Sequence, residues 1–320
     1  AVGDPRGLVH VIEQSVLDGL PGEKLTYAGW SGMVDGLARL VAGCRRVAMQ
    51  YSARCAVPYV SMVDAGTVEL VRSLGPEVIS SADLIQFFEA RWDGAKVASH
   101  LEAGRRVDRI RREAFELVRH RLHTGQTVCE WEVRQFIRDQ FAAAGLVTGH
   151  GPIVGASENS ANPHYEPTQQ ASREILPGDV LLIALWAKLD QPRSVYYDIT
   201  WTGFCGSAPP TEVANVFEIV RVARDRAVNS VASAVRRGVV LRGFEVDDVA
   251  RGFIKERGFG DRFVHRTGHS IGEEVHGAGA NLDNMETHDE RAIIADTCFS
   301  VEPGIYLEDF GVRLEVNVFV

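Results

Sequence analysis

The sequence predicts an α+β protein in which a smaller α/β unit precedes two similar halves. After residue 92, a long helical pattern, a shorter helical pattern and a group of strand-like segments follow one another twice, offset by roughly 115 residues. Before that point the segments are short and mixed, with helical spacing at 31–40 and 67–74 and a strand-like run at 46–51. A chain of 320 residues is also long for one domain. We therefore predict two domains, at residues 1–92 and 93–320.

Each half begins with a pair of helical patterns. In the first half, a capping box over Thr127–Glu130 predicts the start of the shorter helix, which ends at Gly145. In the second half, a long helix follows Pro210 and a shorter one covers about 245–255. The first long helix carries an apolar stripe formed by Val97, Leu101, Val107, Ala114, Val118 and Leu122. The repetition favours two duplicated halves facing each other across a cleft, and chance similarity of α/β segments is the alternative.

Composition and charge exclude several classes of partner. The formal net charge of −9 argues against nucleic acid, and the chain has no apolar run of the length that a membrane span needs. The five cysteines are scattered and odd in number, which predicts a reducing, cytoplasmic location rather than disulfides. We expect the sequence to be part of a longer natural protein, because it does not begin with Met.

Two carboxylates sit on the strand segments near the C-terminus. Glu302 ends an apolar run, Glu315 lies in a second one, and 307–311 reads as the turn between them. A turn centred there places the two carboxylates opposite each other on adjacent strands, with Cβ atoms about 4.5–5.5 Å apart. Buried carboxylates that close repel each other, and a cation between them removes that cost.

The first half contains a similar hairpin, formed by 178–188 and 194–204. The same symmetry argument places Asp198 opposite Ala184. A lone acidic residue in a strand is usually at the surface. Three carboxylates on two apolar hairpins instead favour a metal site, and oxygen ligands with one or two histidines suit manganese, cobalt or iron.

Four histidines lie in glycine-rich or polar loops. His265 and His269 are four residues apart, His276 follows seven residues later, and His164 sits in the loop 160–167. Glycines argue against a helix at 265–272, so one of the first two is expected to bind metal and the others to contact substrate. Spacing alone does not decide which one.

These residues occur in short motifs that resemble the pita-bread metallopeptidases, which include Xaa-Pro aminopeptidase, prolidase, methionine aminopeptidase and creatinase. The resemblance covers about 93–320 and implies the pita-bread fold with its pseudo-twofold duplicated halves. Residues 1–92 resemble part of the creatinase-type N-terminal domain, which is expected to be incomplete. The motifs appear in the family's order: Asn162-Pro-His164-Tyr, Asp198-Ile-Thr, Thr267-Gly-His269-Ser-Ile-Gly, Val301-Glu302-Pro-Gly-Ile and Val312-Arg-Leu-Glu315.

The resemblance implies a metal centre with two divalent cations, manganese foremost and cobalt, iron or zinc as alternatives. Asp198 and Glu315 would bridge the two cations. His269 and Glu302 would complete the second site.

The resemblance also implies roles for the remaining residues in hydrolysis of the bond after an N-terminal residue, with proline favoured on the leaving side. Glu302 would deprotonate the attacking water, while His265 and His276 would hold the scissile carbonyl and its developing charge. His164 would line the substrate cleft and Arg313 would support the site. The partners implied are a peptide substrate and a second copy of the chain in a homodimer.

One ligand of the family pattern is missing. The family has an aspartate where this chain has Ala184, and Asp190 on the turn side is a weaker candidate to replace it. Trp201 stands where many members have arginine. We therefore expect one bound cation or none, with weak or absent hydrolysis. The alternatives are a metal-free C–N hydrolase similar to creatinase, or a non-catalytic module that binds peptides or proteins.

Overall fold

The computed structural model describes residues 5–320 and divides the chain into two compact units, Ala1–Asp83 and Leu84–Val320. The segment 84–92, which we predicted as the end of the first domain, packs within the second unit. Gln86 Nε2 donates to the carbonyl of Ala292 at 2.8 Å, and the Trp92 amide donates to Asp296 at 2.6 Å. Among the described residues, every helix is too short or too polar to cross a bilayer.

The first unit contains two pairs of parallel strands with helices between and after them. The helices predicted at 31–40 and 67–74 and the strand predicted at 46–51 are confirmed, with every end within two residues of the prediction. Val68, Val71 and Val78 form the buried centre of one layer. The elements are β1 (Arg6–His10), β2 (Glu23–Tyr27), α1 (Trp30–Val41), β3 (Arg46–Met49), α2 (Ala65–Ser73), β4 (Glu77–Ser80) and α3 (Ala82–Ile85), the last of which crosses the division.

The second unit contains the predicted order of two helices and then strands, twice. Its first half consists of α4 (Gly94–His123), α5 (Glu130–Ala143), β5 (Leu146–Val147), β6 (Ile153–Ala156), β7 (Val180–Leu189) and β8 (Tyr197–Phe204). Its second half consists of α6 (Thr211–Arg237), α7 (Gly243–Glu256), β9 (Ser270–Ile271), β10 (Cys298–Val301), β11 (Gly304–Tyr306), β12 (Gly311–Arg313) and β13 (Val316–Phe319). Each half has its own apolar core between its helices and its strands.

Helix α4 buries a stripe that differs in part from the predicted one. Val107, Ala114 and Val118 are buried as expected, and Ile110 belongs to the same face. Leu101, which we predicted on the stripe, is 55% exposed. The basic residues around it pair with acidic neighbours on the helix surface, which explains how a long helix rich in charged side chains is solvated.

The start of α5 differs from the predicted capping box. The N-cap is Cys129, and the backbone N–H of Cys129 donates to Glu132 at 2.9 Å. Glu130, which we predicted to cap the helix, is fully buried and accepts hydrogen bonds from the loop after β6 instead. The capping box lies two residues later than predicted, at Cys129 and Glu132. The local sequence did not reveal that Glu130 is buried against the β6–β7 connection.

The C-terminal hairpin has the predicted register. β10 pairs with β13 and β11 pairs with β12, and both ladders follow one alignment, with Val301 opposite Val316 and Gly304 opposite Arg313. Continuing that alignment through the gap between the two ladders places Glu302 opposite Glu315, as predicted. The gap contains Pro303, which has no N–H to donate to a ladder.

The first hairpin is shifted by two residues from the prediction. β7 pairs with β8 so that Asp198 is opposite Trp186, and Ala184 is opposite Thr200. The prediction failed because the connection 190–196 is not a symmetric turn, and Arg193 in it has a positive φ of 63°. A shift of two keeps every side chain on its face, so Ala184 and Asp198 still share one face of the sheet.

The packing of the first half's core predicts that a substitution that creates a cavity will lower the free energy of unfolding. Replacing Ile110 of α4, which is fully buried, with alanine should lower the free energy of unfolding by about 2–5 kcal/mol, because the neighbours relax only partly around the lost methyl groups. Urea denaturation followed by circular dichroism measures this change. Leu101→Ala on the same helix is the matched control and should cost far less, since Leu101 is 55% exposed. Equal losses for the two variants would contradict the burial pattern.

Candidate active site

All eight predicted site residues line one cavity of about 340 Å³ in the second unit. It lies where β8, the loop 265–276 and the C-terminal hairpin meet, and Ala184 forms part of its wall. The eight are His164, Asp198, His265, His269, His276, Glu302, Arg313 and Glu315. Two hairpins and two loops that are far apart in sequence therefore place their polar side chains around a single space.

Backbone and side-chain hydrogen bonds join the two hairpins. The Glu315 N–H donates to the Thr200 carbonyl at 2.9 Å, and the amide of Asn317 donates to the Asp198 carbonyl at 2.6 Å. The Arg313 N–H donates to Thr202 Oγ1 at 3.2 Å. Thus β8 runs alongside 313–317, which brings the carboxylates of the two halves to the same wall of the cavity.

Asp198, His269 and Glu315 form a group with metal-ligand geometry. One ligand atom from each lies within 4.8 Å of the other two, and all three side chains are buried. His269 Nε2 is 3.7 Å from Asp198 Oδ2 and 3.4 Å from Glu302 Oε1. These four side chains provide one imidazole nitrogen and carboxylate oxygens, a donor set that suits divalent transition metals.

Burial and mutual repulsion make the ionised carboxylates costly. Burial, followed by the charge of Glu302, raises the pKa of Asp198 well above its usual range, and Arg313 offsets only part of this. Burial also raises the pKa of Glu315, and the charges of Asp198 and Glu302 add to the effect. A cation between these groups would reverse both costs, because it favours the ionised forms.

Three histidines of the cavity, His265, His269 and His276, are neutral at physiological pH. Burial lowers the pKa of His265 to about 4, and it lowers the pKa of His269 and of His276 to about 3. His269 Nδ1 lies 3.1 Å from the carbonyl of Ser270, an acceptor, so this nitrogen carries the proton. The lone pair of His269 Nε2 therefore points to the carboxylates, as a metal ligand requires.

The residues present fit one divalent cation. Among the residues that the structure describes, Glu315 Oε1 is buried and has no hydrogen-bond partner. Glu315 Oε2 accepts from Thr200 Oγ1 at 2.7 Å, so only one oxygen of this carboxylate is satisfied by protein. A buried acceptor without a donor is costly, and a bound cation would satisfy it.

A second cation lacks a carboxylate on the β7 side. Ala184 is 1% exposed and packs with Ile153, Leu182 and Trp186, so this wall is apolar. Asp190, the weaker candidate for the missing ligand, is exposed, and its backbone N–H pairs with Gly145 at the far end of β7. Its side chain is not part of the cavity lining, so the structure rules against Asp190 as a replacement.

Arg313 connects the carboxylates to the loop that carries His164. Its Nε donates to Thr200 Oγ1 at 3.1 Å and lies 4.0 Å from Glu302 Oε2, and its Nη1 donates to the carbonyl of Pro163 at 3.1 Å. Ser300 Oγ donates to the other oxygen of Glu302 at 3.1 Å. Glu302 thus has a polar neighbour at each oxygen, and the oxygen that accepts from Ser300 is also the one nearest to His269 Nε2.

Both ring nitrogens of His265 have partners. Nδ1 lies 2.7 Å from the Arg266 carbonyl, so it carries the proton, and Nε2 accepts from the Tyr306 hydroxyl at 2.7 Å. Burial raises the pKa of Tyr306 to about 12, so the hydroxyl keeps its proton. In this state His265 does not present an N–H to the cavity, whereas the ring of His276 stands edge-on to His269 at 4.3 Å between centroids.

Sequence reasoning missed several cavity residues. Trp186 and His150 contact each other edge to face at 5.5 Å and line the cavity beside Ala184. Thr200 could have been found from its motif, because it lies two residues after Asp198 and therefore on the same face of β8. Trp201 points the other way: its ring stacks under the Arg111 guanidinium of α4 at 3.9 Å and does not line the cavity.

A family comparison matches the part of the chain that holds this site. Residues 99–320 match the model of metallopeptidase family M24, and this range covers more than half of the chain. The chain belongs to metallopeptidase family M24. Its matched range includes every residue placed around the cavity.

Individual relatives resemble this chain in sequence or in fold. An Xaa-Pro dipeptidase from Pyrococcus furiosus is 34% identical over 169 residues, which is 52% of this chain and 44% of that protein. The chain therefore spans less than half the length of that curated relative. The crystal structure of dipeptidase PepE from Mycobacterium ulcerans aligns with 100% of this chain and 80% of its own, with a TM-score of 0.69 and 24% identity.

A third relative agrees in fold at lower identity. The X-prolyl aminopeptidase from Caenorhabditis elegans, described as a cytosolic enzyme with a di-nuclear active site, aligns with 92% of this chain and 45% of its own. Its TM-score is 0.63 and its identity 17%. These M24 structures bear out the pita-bread fold that the motifs implied.

The raised pKa values of this M24 site predict a pH-dependent stability. A carboxyl group whose folded-state pKa is raised stabilises the fold below its unfolded-state pKa, here about 4.5, and loses that contribution as the pH rises. In chelator-treated protein, Glu315→Gln should therefore increase the free energy of unfolding at pH 8 by about 1–4 kcal/mol, and the gain should vanish near pH 4. Thermal and urea unfolding across this range measure the change.

Glu308→Gln is the matched control, because Glu308 is exposed on the turn of the same hairpin. With Mn²⁺ added, the starting protein should become more stable than Glu315→Gln. A cation that binds only the folded protein with ionised carboxylates stabilises that folded state. A destabilised, cation-free Glu315→Gln protein at pH 8 would contradict the repulsion described above.

Proposed function

We propose that this chain carries a metal-dependent peptidase site that hydrolyses the bond after an N-terminal residue, preferentially before proline. The observation that carries this proposal is the buried group of Asp198, His269 and Glu315, whose unsatisfied Glu315 Oε1 lies in the wall of a cavity of about 340 Å³ that Glu302 also lines. Membership of the M24 family and similarity to an Xaa-Pro dipeptidase support the substrate class.

In this proposal, Asp198, His269, Glu302 and Glu315 hold the cation. Its chemistry, when bound, is to polarise the scissile carbonyl and to lower the pKa of the attacking water. Manganese is our first choice, with cobalt, iron or zinc as alternatives, because the site combines three carboxylates with one imidazole. The description of the C. elegans relative as di-nuclear supports a second site in the parent architecture.

The chain's own residues would then move the proton and orient the peptide. Glu302, held by Ser300 and facing Arg313, takes a proton from water and returns it to the leaving nitrogen. His276 lines the cavity as a neutral imidazole that can donate to the developing oxyanion. His265 can share that task only after the Tyr306 hydroxyl releases its Nε2.

His164 also lines the cavity, from a loop whose Pro163 carbonyl accepts from Arg313, and in this proposal it contacts the peptide. Cytoplasmic location, a homodimer and duplicated halves related by a pseudo-twofold axis complete the proposal. The repeated element order supports the duplication, and the description of the C. elegans relative as cytosolic supports the location.

Ala184 should limit this activity. Its packing partners Ile153, Leu182 and Trp186 include no carboxylate that could replace the missing ligand. We expect one divalent cation per chain or none, and weak or absent cleavage. A non-catalytic peptide-binding module is the second candidate, and the apolar wall at Ala184 is the observation that favours it.

Ala184→Asp tests the proposal directly. The variant should bind one more Mn²⁺ per chain than the starting protein and should gain cleavage of Leu-Pro and other Xaa-Pro peptides by at least about a hundredfold. Elemental analysis and a coupled proline assay measure the two effects. Ala184→Asn is the matched control, with the same size and no charge. Two tightly held cations in the starting protein would contradict the proposal, and binding of peptide without turnover in Ala184→Asp would favour the binding module.

Glu302→Gln in the Ala184→Asp protein tests the proton transfer. We expect kcat to fall by about 10²–10⁴-fold, because general acid–base catalysis contributes that much and the amide cannot accept the proton. Steady-state kinetics with metal content measured in parallel separates this loss from loss of the cation. Unchanged kcat at equal metal content would exclude Glu302 as the base.

A further inference from the structure

The connection between β6 and β7, which carries His164, is held by one buried carboxylate of α5. Glu130 is fully buried although it is the first residue of the helix. Its Oε1 accepts from the Ala156 N–H at 2.8 Å, and its Oε2 accepts from the Arg173 N–H at 3.0 Å. Ala156 is the last residue of β6 and Arg173 lies in the second half of the connection, so a single side chain joins two distant parts of it.

Glu130 also holds the interior of the same loop. Asn159 Nδ2 donates to both of its oxygens, at 3.0 and 3.1 Å, and the Tyr165 hydroxyl donates to Oε2 at 2.7 Å. Burial, with the Glu130 charge, raises the pKa of Tyr165, so this hydroxyl remains a donor. Tyr165 is the residue after His164, which ties the position of the histidine backbone to Glu130.

Arg134 contacts the loop from the next turn of the same helix face. Its Nη1 donates to the Pro167 carbonyl at 2.7 Å and its Nη2 to the Glu166 carboxylate at 2.8 Å. Residues four apart lie side by side on a helix, so Glu130 and Arg134 form one clamp. On the other side, Arg313 holds the Pro163 carbonyl, so the chain on both sides of His164 is fixed while its ring faces the cavity.

The second half contains a comparable acid–arginine pair, which stands one turn further along its helix and also forms an ion pair of its own. Asp247 of α7 is fully buried and accepts from the Thr267 N–H at 2.9 Å and from its hydroxyl at 2.7 Å. Arg251, again four residues later, donates to the His265 carbonyl at 2.7 Å. In both halves, an acid and an arginine on the shorter helix hold a loop that brings histidine to the cavity.

We propose that Glu130 and Arg134 are positioning residues that fix the loop presenting His164 to the substrate, as Asp247 and Arg251 fix the loop of His265 and His269. The proposal rests on the proposed function in one respect, namely that His164 contacts the peptide. Charge matters here because a carboxylate accepts from all four donors, whereas an amide would turn its NH₂ toward the Arg173 N–H.

The test compares Glu130→Gln, Asp247→Asn and the control Asp139→Asn in the full chain. Asp139 is exposed on α5. Hydrogen–deuterium exchange should rise by at least about tenfold in 157–172 for Glu130→Gln and in 264–270 for Asp247→Asn, which corresponds to about 1.4 kcal/mol of local stability. Asp139→Asn should change neither. Equal loosening of both loops in Glu130→Gln, or no loosening of 157–172, would overturn the proposal.

Ligand titrations separate positioning from a general loss of structure. Glu130→Gln should weaken binding of Leu-Pro by about tenfold and leave the affinity for Mn²⁺ unchanged, because the cation ligands lie on other elements. Tyr165→Phe, which removes a single donor, should give a smaller loss. Unchanged Leu-Pro affinity in Glu130→Gln would overturn the positioning role.

If the starting protein does not bind Leu-Pro, the proposed function fails, and a separate readout decides the positioning of His164. The rate at which diethyl pyrocarbonate modifies His164, followed by mass spectrometry, should change at least about threefold in Glu130→Gln. An unchanged rate would overturn the proposal independently of any peptidase activity.

Discussion

The constraint on which the rest of the second unit depends is the burial of several carboxylates around one small space. Asp198 and Glu315 are almost inaccessible to solvent, and burial together with the charge of nearby Glu302 raises the pKa of both. Folding without a cation must keep protons on these groups or accept their repulsion. The fold stays together because two extensive apolar cores and the hydrogen bonds between the hairpins supply enough stability to hold the group in place.

Both halves contribute to this group, the first with Asp198 and the second with His269, Glu302 and Glu315. Each supplies a hairpin with a carboxylate and a short helix whose buried acid and arginine fix a histidine-bearing loop. Arg313 then crosses between them, since it contacts Thr200 and Pro163 of the first half from the last hairpin. The rigidity of the site therefore comes from contacts outside the ligands themselves, which matches the general need for outer-shell support of metal ligands.

Ala184 lies among the residues that line the cavity, and its side chain fits the apolar packing of β7. Its methyl group packs against Ile153, Leu182 and Trp186. The β7 strand therefore offers no carboxylate at this position, while Asp198, His269 and Glu315 still place ligand atoms within 4.8 Å of one another. In the function proposed above, this one side chain would lower the number of oxygen donors and with it the number of cations that the site holds.

The sequence alone determined most of the helices, the C-terminal register and a set of eight residues that line one cavity, because these depend on local periodicity and on short motifs around His269, Glu302 and Glu315. It did not determine the register of the first hairpin. Because the connection 190–196 is asymmetric, Asp198 pairs with Trp186 and not with Ala184. It also misplaced Glu130, whose acid side chain suited a helix cap equally well. Only the tertiary structure decided which donors surround Glu130 and where Asp190 and Trp201 point, because those contacts join segments that are distant in the chain.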